Sequence, residues 1–152
     1  MRLTIAFLIS SLLFAFPALS IESKSELSSG QTVYVSIYSN IYKNVGLAFL
    51  LSVNNTDLHN SLTILSTKYY DNNGKELKEY AQNPITLGPL ASLRFTVEEK
   101  DKSGGFGANF IVKWKADKDI NPPIVESIMI GMREGKVISF VSQGKVISEN
   151  TK

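Results

Sequence analysis

From Gln31 onward, apolar and polar side chains alternate with a period of two. Val33, Val35 and Ile37 alternate with Thr32, Tyr34, Ser36 and Tyr38, the pattern of a strand with one buried face. Leu47, Phe49, Leu51 and Val53 share the next inward face. Ala48, Leu50 and Ser52 oppose them, so this strand is apolar on both sides and is expected to be central. Asn54–Ser61 is a turn cluster, and Leu62–Tyr70 is rich in β-formers. Asp71-Asn72-Asn73-Gly74 then predicts a hairpin, with Lys75–Tyr80 returning as an exposed edge strand. Ile85–Leu87, Leu93–Val97, Ala108–Lys115, Ile124–Met132 and Lys136–Gln143 continue the series, and Gly144–Ile147 adds a short last strand. Glu134-Gly135 turns between the two long late segments. No window combines a helix cap with an apolar stripe. Eight or nine strands at roughly 8–12-residue spacing predict an antiparallel β-sandwich of immunoglobulin or fibronectin type.

The first residues follow a different rule. Met1-Arg2-Leu3-Thr4 precedes the apolar run Ile5–Phe16 and then Pro17-Ala18-Leu19-Ser20. A positive start, an apolar middle and small residues at the end make a secretory signal peptide, with cleavage expected between Ser20 and Ile21. As a helix the run would span roughly 18 Å, short of the ~30 Å hydrocarbon core of a bilayer. The expected organisation is therefore signal peptide 1–20, polar flexible leader 21–30, sandwich 31–148 and tail 149–152. The expected location is periplasmic or secreted, with no stable membrane anchor.

Composition narrows the chemistry. The chain has 152 residues, a formal charge of +2 and 43% apolar content, enough for one domain with a core of its own. Basic and acidic residues are interspersed, which gives no electrostatic footprint for nucleic acid. It has no cysteine, which excludes disulfides, thiolate metal sites, a cysteine nucleophile and lipid attachment at an N-terminal cysteine. A cysteine-free exported domain fits a bacterial source better than a eukaryotic one. The oligomeric state is left open.

Several segments carry a family likeness when taken together. Gln31–Ser39 (QTVYVSIYS), Tyr69–Gly74 (YYDNNG), Pro84–Leu90 (PITLGPL) and Asp101–Val112 (DKSGGFGANFIV) stand in this order. The chain resembles the bacterial exported proteins of domain-of-unknown-function family 3124 over nearly all of residues 31–148. The Gly-Gly-x-Gly-Ala-Asn-Phe-Ile-Val stretch is the most specific part. The resemblance implies an exported, all-β protein, and it brings no assigned catalytic residues.

The best candidate site is the loop Lys100–Asn109. Glu98, Glu99 and Asp101 precede Ser103-Gly104-Gly105-Phe106-Gly107. The glycines let backbone approach a ligand closely, and Glu99, Asp101, Ser103 and Asn109 could hold a cation, sugar hydroxyls or a partner. A long hairpin whose glycines allow positive φ and a bulge explains the same residues. No helix N-terminus follows, as a phosphate loop would require. A second candidate is Tyr34, Tyr38 and Tyr42, expected on one outward face, where rings could stack on a glycan or anchor a partner. A covering strand or loop is the alternative. Trp114 belongs with Phe110 and Val112 in the core.

Catalytic, metal and cofactor sites are not expected. Asp71–Gly74 echoes a calcium loop but lacks the glutamate at its twelfth position. His59, the single histidine, sits in a turn cluster and no Gly-x-Ser-x-Gly elbow accompanies it. Glu98 and Glu99, adjacent in a strand, would face opposite sides, which rules out a paired-carboxylate hydrolase. The expectation is a non-enzymatic binding protein of the cell envelope. Its partner is an envelope protein, or a glycan held by the tyrosines, and a hydrolase using Ser103 is the third reading.

Overall fold

The computed structural model describes residues 26–41 and 45–149. The signal segment, its Ser20/Ile21 cleavage point and Tyr42 lie outside them. Twelve strands are formed among the described residues, and no helix. They are β1 (Ser28–Ser36), β2 (Asn40–Ile41), β3 (Val45–Gly46), β4 (Ala48–Asn54), β5 (Leu62–Tyr70) and β6 (Glu76–Glu79). β7 (Ile85–Leu87), β8 (Ser92–Val97), β9 (Asn109–Ile120), β10 (Ile124–Arg133), β11 (Lys136–Gln143) and β12 (Lys145–Glu149) follow. The count exceeds eight or nine because each alternating segment, the short last one included, forms a strand of its own, and the two-residue pair β2–β3 is added.

Two antiparallel sheets, not closed into a barrel, carry the fold. One runs β12-β1-β9-β5-β6, with β7 paired to the other end of β5. The second runs β11-β10-β4-β8. Period-two alternation drives Val33, Val35, Phe49, Leu51, Val53, Phe110, Val112 and Trp114 inward, where each is essentially buried. β4 is an inner strand, flanked by β10 and β8, with Ala48 and Leu50 half-buried on its outward side. Ring contacts join the sheets: Phe49 lies 5.8 Å from Tyr69 and 6.5 Å from Phe110.

Both ends of the domain extend further than the alternation suggests. The leader was expected to reach residue 30, but β1 begins at Ser28. Glu149, expected in the tail, is the last residue of β12 and pairs with Gln31. Ser28 pairs with Ile120 at the far end of β9, and one carboxylate ties the two ends together. Ser28 Oγ donates to Glu149 Oε2 at 2.9 Å, and Gln31 Nε2 donates to Glu149 Oε1 at 2.8 Å. Gly144 lets the chain pass from one sheet to the other. Its N–H donates to the Val125 carbonyl at 2.7 Å, and a Cβ there would meet that oxygen at 2.6 Å.

The loop 55–61 folds around Asp57. Asp57 Oδ1 accepts from the N–H groups of His59 and Asn60 and from Asn60 Nδ2, while Oδ2 accepts from Asn121 N–H. These bonds, led by the one from His59, hold its carboxyl below the usual range. His59 itself is exposed. The hairpin at Asp71–Gly74 also uses its acid internally: Asp71 Oδ1 accepts from Asn73 and Lys75 N–H. Only Gly74 takes positive φ there, at 81°.

Candidate functional site

β8 ends at Val97 and β9 starts at Asn109, so the glycine-rich loop caps one end of the sandwich. Five hydrogen bonds hold it. Asn72 N–H donates to the Gly104 carbonyl at 3.0 Å, and Gly105 N–H donates to Lys102 O at 3.2 Å. Ser39 Oγ donates to the Gly105 carbonyl. Asp101 Oδ1 accepts from Ser103 N–H at 2.9 Å and from Ser103 Oγ at 2.6 Å.

The two glycines answer to packing. A Cβ on Gly104 would lie 2.0 Å from the Tyr69 hydroxyl and 2.7 Å from the Ala108 Cβ. Gly105 has φ +68°, and a Cβ there would lie 2.3 Å from Asn72 Oδ1. Gly104 is buried, so it presents no free surface. Asp101 and Ser103 satisfy one another, and Asn109 stands in the ladder between Ser36 and Tyr70. Glu98 and Glu99 lie beyond the end of β8, in a turn, so strand alternation does not separate them as expected. Glu98 pairs instead with Lys100 at 2.6 Å, an exposed ion pair of little energetic weight.

The tyrosines do not form one row. β1 stops at Ser36, although buried and exposed residues go on alternating through Ile37, Tyr38 and Ser39. Tyr34 stays half-buried in the ladder between Lys145 and Ile111. Tyr38 turns away, its N–H donating to Met129 Sδ at 3.4 Å. Its ring meets Phe106 at 5.8 Å and Phe140 at 6.2 Å. Tyr38 is 37% exposed and Phe106 59% exposed. The two sequence candidates thus converge partly: Tyr38 joins the glycine loop, and Tyr34 does not.

Phe106 and Phe140 were missed by the sequence reading. Phe106 carried a usable signal, an aromatic between glycines where no strand could hide it. Phe140 carried none, because it packs against the core and meets Tyr38 only through the pairing of β11 with β10. On the loop's other flank, Lys78, Tyr80, Thr96, Val97, Glu98, Lys100 and Asp101 line a depression of about 280 Å3. Glu98, Glu99, Lys100 and Lys102 border a wider one of about 450 Å3. Lys78 Nζ sits 4.2 Å from the Tyr80 ring centroid.

Below the loop, Tyr69 is 1% exposed. Ser103 and the Gly104 backbone lie close to its hydroxyl, yet no aligned hydrogen bond forms. Burial first, and the nearby Asp101 charge second, push its pKa up to about 12. Tyr80 is raised for the same two reasons. Both phenols favour the protonated form in the folded state. Stability should therefore be flat below the unfolded phenol value near ~10 and fall as pH rises toward 12. In Tyr69→Phe, denaturation at alkaline pH should show a shallower loss. An unchanged alkaline slope would remove Tyr69 as its source.

No part of this end assembles a hydrolytic pair from Ser103 and His59. β9 runs from the glycine loop at Asn109 to Ile120, and Asn121 bonds Asp57 in the His59 loop. The serine and the histidine therefore sit at opposite ends of the sandwich.

The family described as "Protein of unknown function (DUF3124)" matches residues 30–147, and the chain belongs to it. No curated protein matches the chain. A crystal structure of a Thermotoga maritima protein, Thermotoga maritima 1070, is similar at 10% identity with a TM-score of 0.48. It covers 76% of this chain and 92% of its own. A likeness at that level carries no functional argument.

Proposed function

We propose that this member of the family is an exported, non-enzymatic module of immunoglobulin/fibronectin type that grips a cell-envelope protein with its glycine-loop end. One observation carries the reading: Phe106, 59% exposed, rides on a loop pinned by Asn72 and Ser39 and pairs its ring with Tyr38. An exposed aromatic ring held in place by a fixed loop and backed by a second ring is the kind of anchor a partner pocket accepts. On the loop's other flank, the mixed charges of Lys78, Glu98, Lys100, Lys102 and Asp101 supply a polar border. The leader Met1–Ser20 supports export.

A glycan platform is the weaker reading, because Tyr34 stands apart from Tyr38. The test places a photo-reactive residue at position 106 in cells, with Lys118, an exposed residue of β9, as the control position. A discrete protein adduct at 106 and none at 118 is the expected result. No adduct at 106, or the same adducts at both positions, overturns the reading. The exported protein should also begin at Ile21, which N-terminal sequencing reads directly. An N-terminus still at Met1 would contradict export by this route.

A further inference from the structure

The outward face of the four-stranded sheet is apolar where a solvated face would be polar. On β10, Ile128, Ile130 and Met132 point outward, and Val125, Ser127 and Met129 point inward. Register places Ile128 beside Leu50 and Val141, Ile130 beside Ala48 and Ser139, and Met132 beside Val137. Ile130 is 48%, Val141 54%, Val137 65% and Met132 66% exposed. Nothing among the described residues covers this face, which lies on the outside of the sandwich, away from the core shared with the other sheet.

Its charges identify the occupant. Glu126 on β10, Ser52 on β4 and Arg94 on β8 form one lateral row at the border of the apolar patch. Neither Glu126 nor Arg94 has an ion-pair partner among the described residues. A two-fold axis along the strands, between β10 and β4, would lay β10 and β11 of one copy over β4 and β8 of the other. Ile128 then meets Leu50, the larger Ile130 meets the smaller Ala48, and the opposite Arg94 lies one strand spacing (~4.8 Å) to the side of Glu126 across the ~10 Å between stacked faces, within reach of its long side chain. Every contact occurs twice, as a two-fold interface requires. A second copy satisfies both charges; an anionic membrane surface would repel Glu126.

We infer that this face pairs with the same face of a second copy, forming a reversible dimer. Four strands over about seven residues offer roughly 450 Å2 of projected face per copy. That is the scale of weak, concentration-dependent association rather than of an obligate dimer. The glycine-loop end lies off this face and stays free in such a pair.

The experiment is sedimentation velocity over a dilution series of protein expressed from the full chain. The wild type should shift from monomer to dimer as concentration rises. Ile130→Lys should weaken association about tenfold or more by placing a charge against Ala48 of the other copy. Ile130 is half-exposed, so the monomer fold should survive, which circular dichroism checks. Glu126→Arg should weaken it as well, and Glu126→Arg combined with Arg94→Glu should restore it. A wild type that stays monomeric at its highest soluble concentration overturns the inference. So does a dimer that neither single variant weakens, or one that the charge exchange fails to restore.

Discussion

Phe110→Ala will lower the free energy of unfolding by about 3–5 kcal/mol. Phe110 is fully buried, and its ring meets Tyr69 at 5.2 Å, Tyr80 at 5.7 Å and Phe49 at 6.5 Å. It ties β4 to β9 and β5 directly under the glycine loop. Truncation forfeits the transfer of a large apolar ring and leaves a cavity that three other rings cannot collapse into without leaving their own contacts. Urea denaturation followed by tryptophan fluorescence measures it, since Trp114 lies in the same strand. A loss near the ~0.5 kcal/mol of an ordinary surface change would contradict a shared core at this end.

Gly104→Ala will cost about 1–3 kcal/mol, the usual range for overpacking. Its backbone is not in the left-handed region, so the cost comes from contact alone. The new methyl would sit 2.0 Å from the hydroxyl of a tyrosine that is 1% exposed and cannot swing into water. Either Tyr69 moves and disturbs the ring cluster, or the loop lifts and loses the Asn72 and Ser39 bonds. Tyr69→Phe alone should be nearly neutral, because that hydroxyl has no aligned partner. Adding Tyr69→Phe to Gly104→Ala should recover part of the loss, because it removes the closest clashing atom. Strict additivity of the two changes in a double-mutant cycle would show that the clash is relieved elsewhere.

Much of the sandwich was legible because burial on one face forces a period of two, and Val33–Ile37, Phe49–Val53 and Phe110–Trp114 display it openly. The ends of β1 and β12 were not. Ser28-Ser29-Gly30 has no alternation of its own; it pairs with the far end of β9, Ser28 beside Ile120 and Gly30 beside Lys115, and Glu149 binds Ser28 and Gln31 from far along the chain. The candidate site was half legible. Local spacing marked the glycine loop, and the reason for its glycines is a clash with Tyr69 and Asn72 that only the three-dimensional packing reveals. Tyr38 was singled out for a row it does not join. Alternation says which face a side chain takes, and it holds as far as Tyr38; it does not say that Phe106, Phe140 and Met129 will meet it there. Phe140 could meet Tyr38 only once β11 was known to flank β10. The outward apolar row on β10 and β11 was present in the sequence as well, masked because a buried strand and an uncovered one share the same composition.

The measurement that tests the central claim most directly compares Phe106→Ala with the wild type in two readouts: melting temperature, and affinity for the protein captured at position 106. Phe106 is exposed and its loop is held by backbone bonds that the substitution leaves intact. The account predicts an unchanged melting temperature and a loss of affinity of about thirtyfold or more, the scale of a binding hot spot. An unchanged melting temperature with undiminished affinity would contradict it.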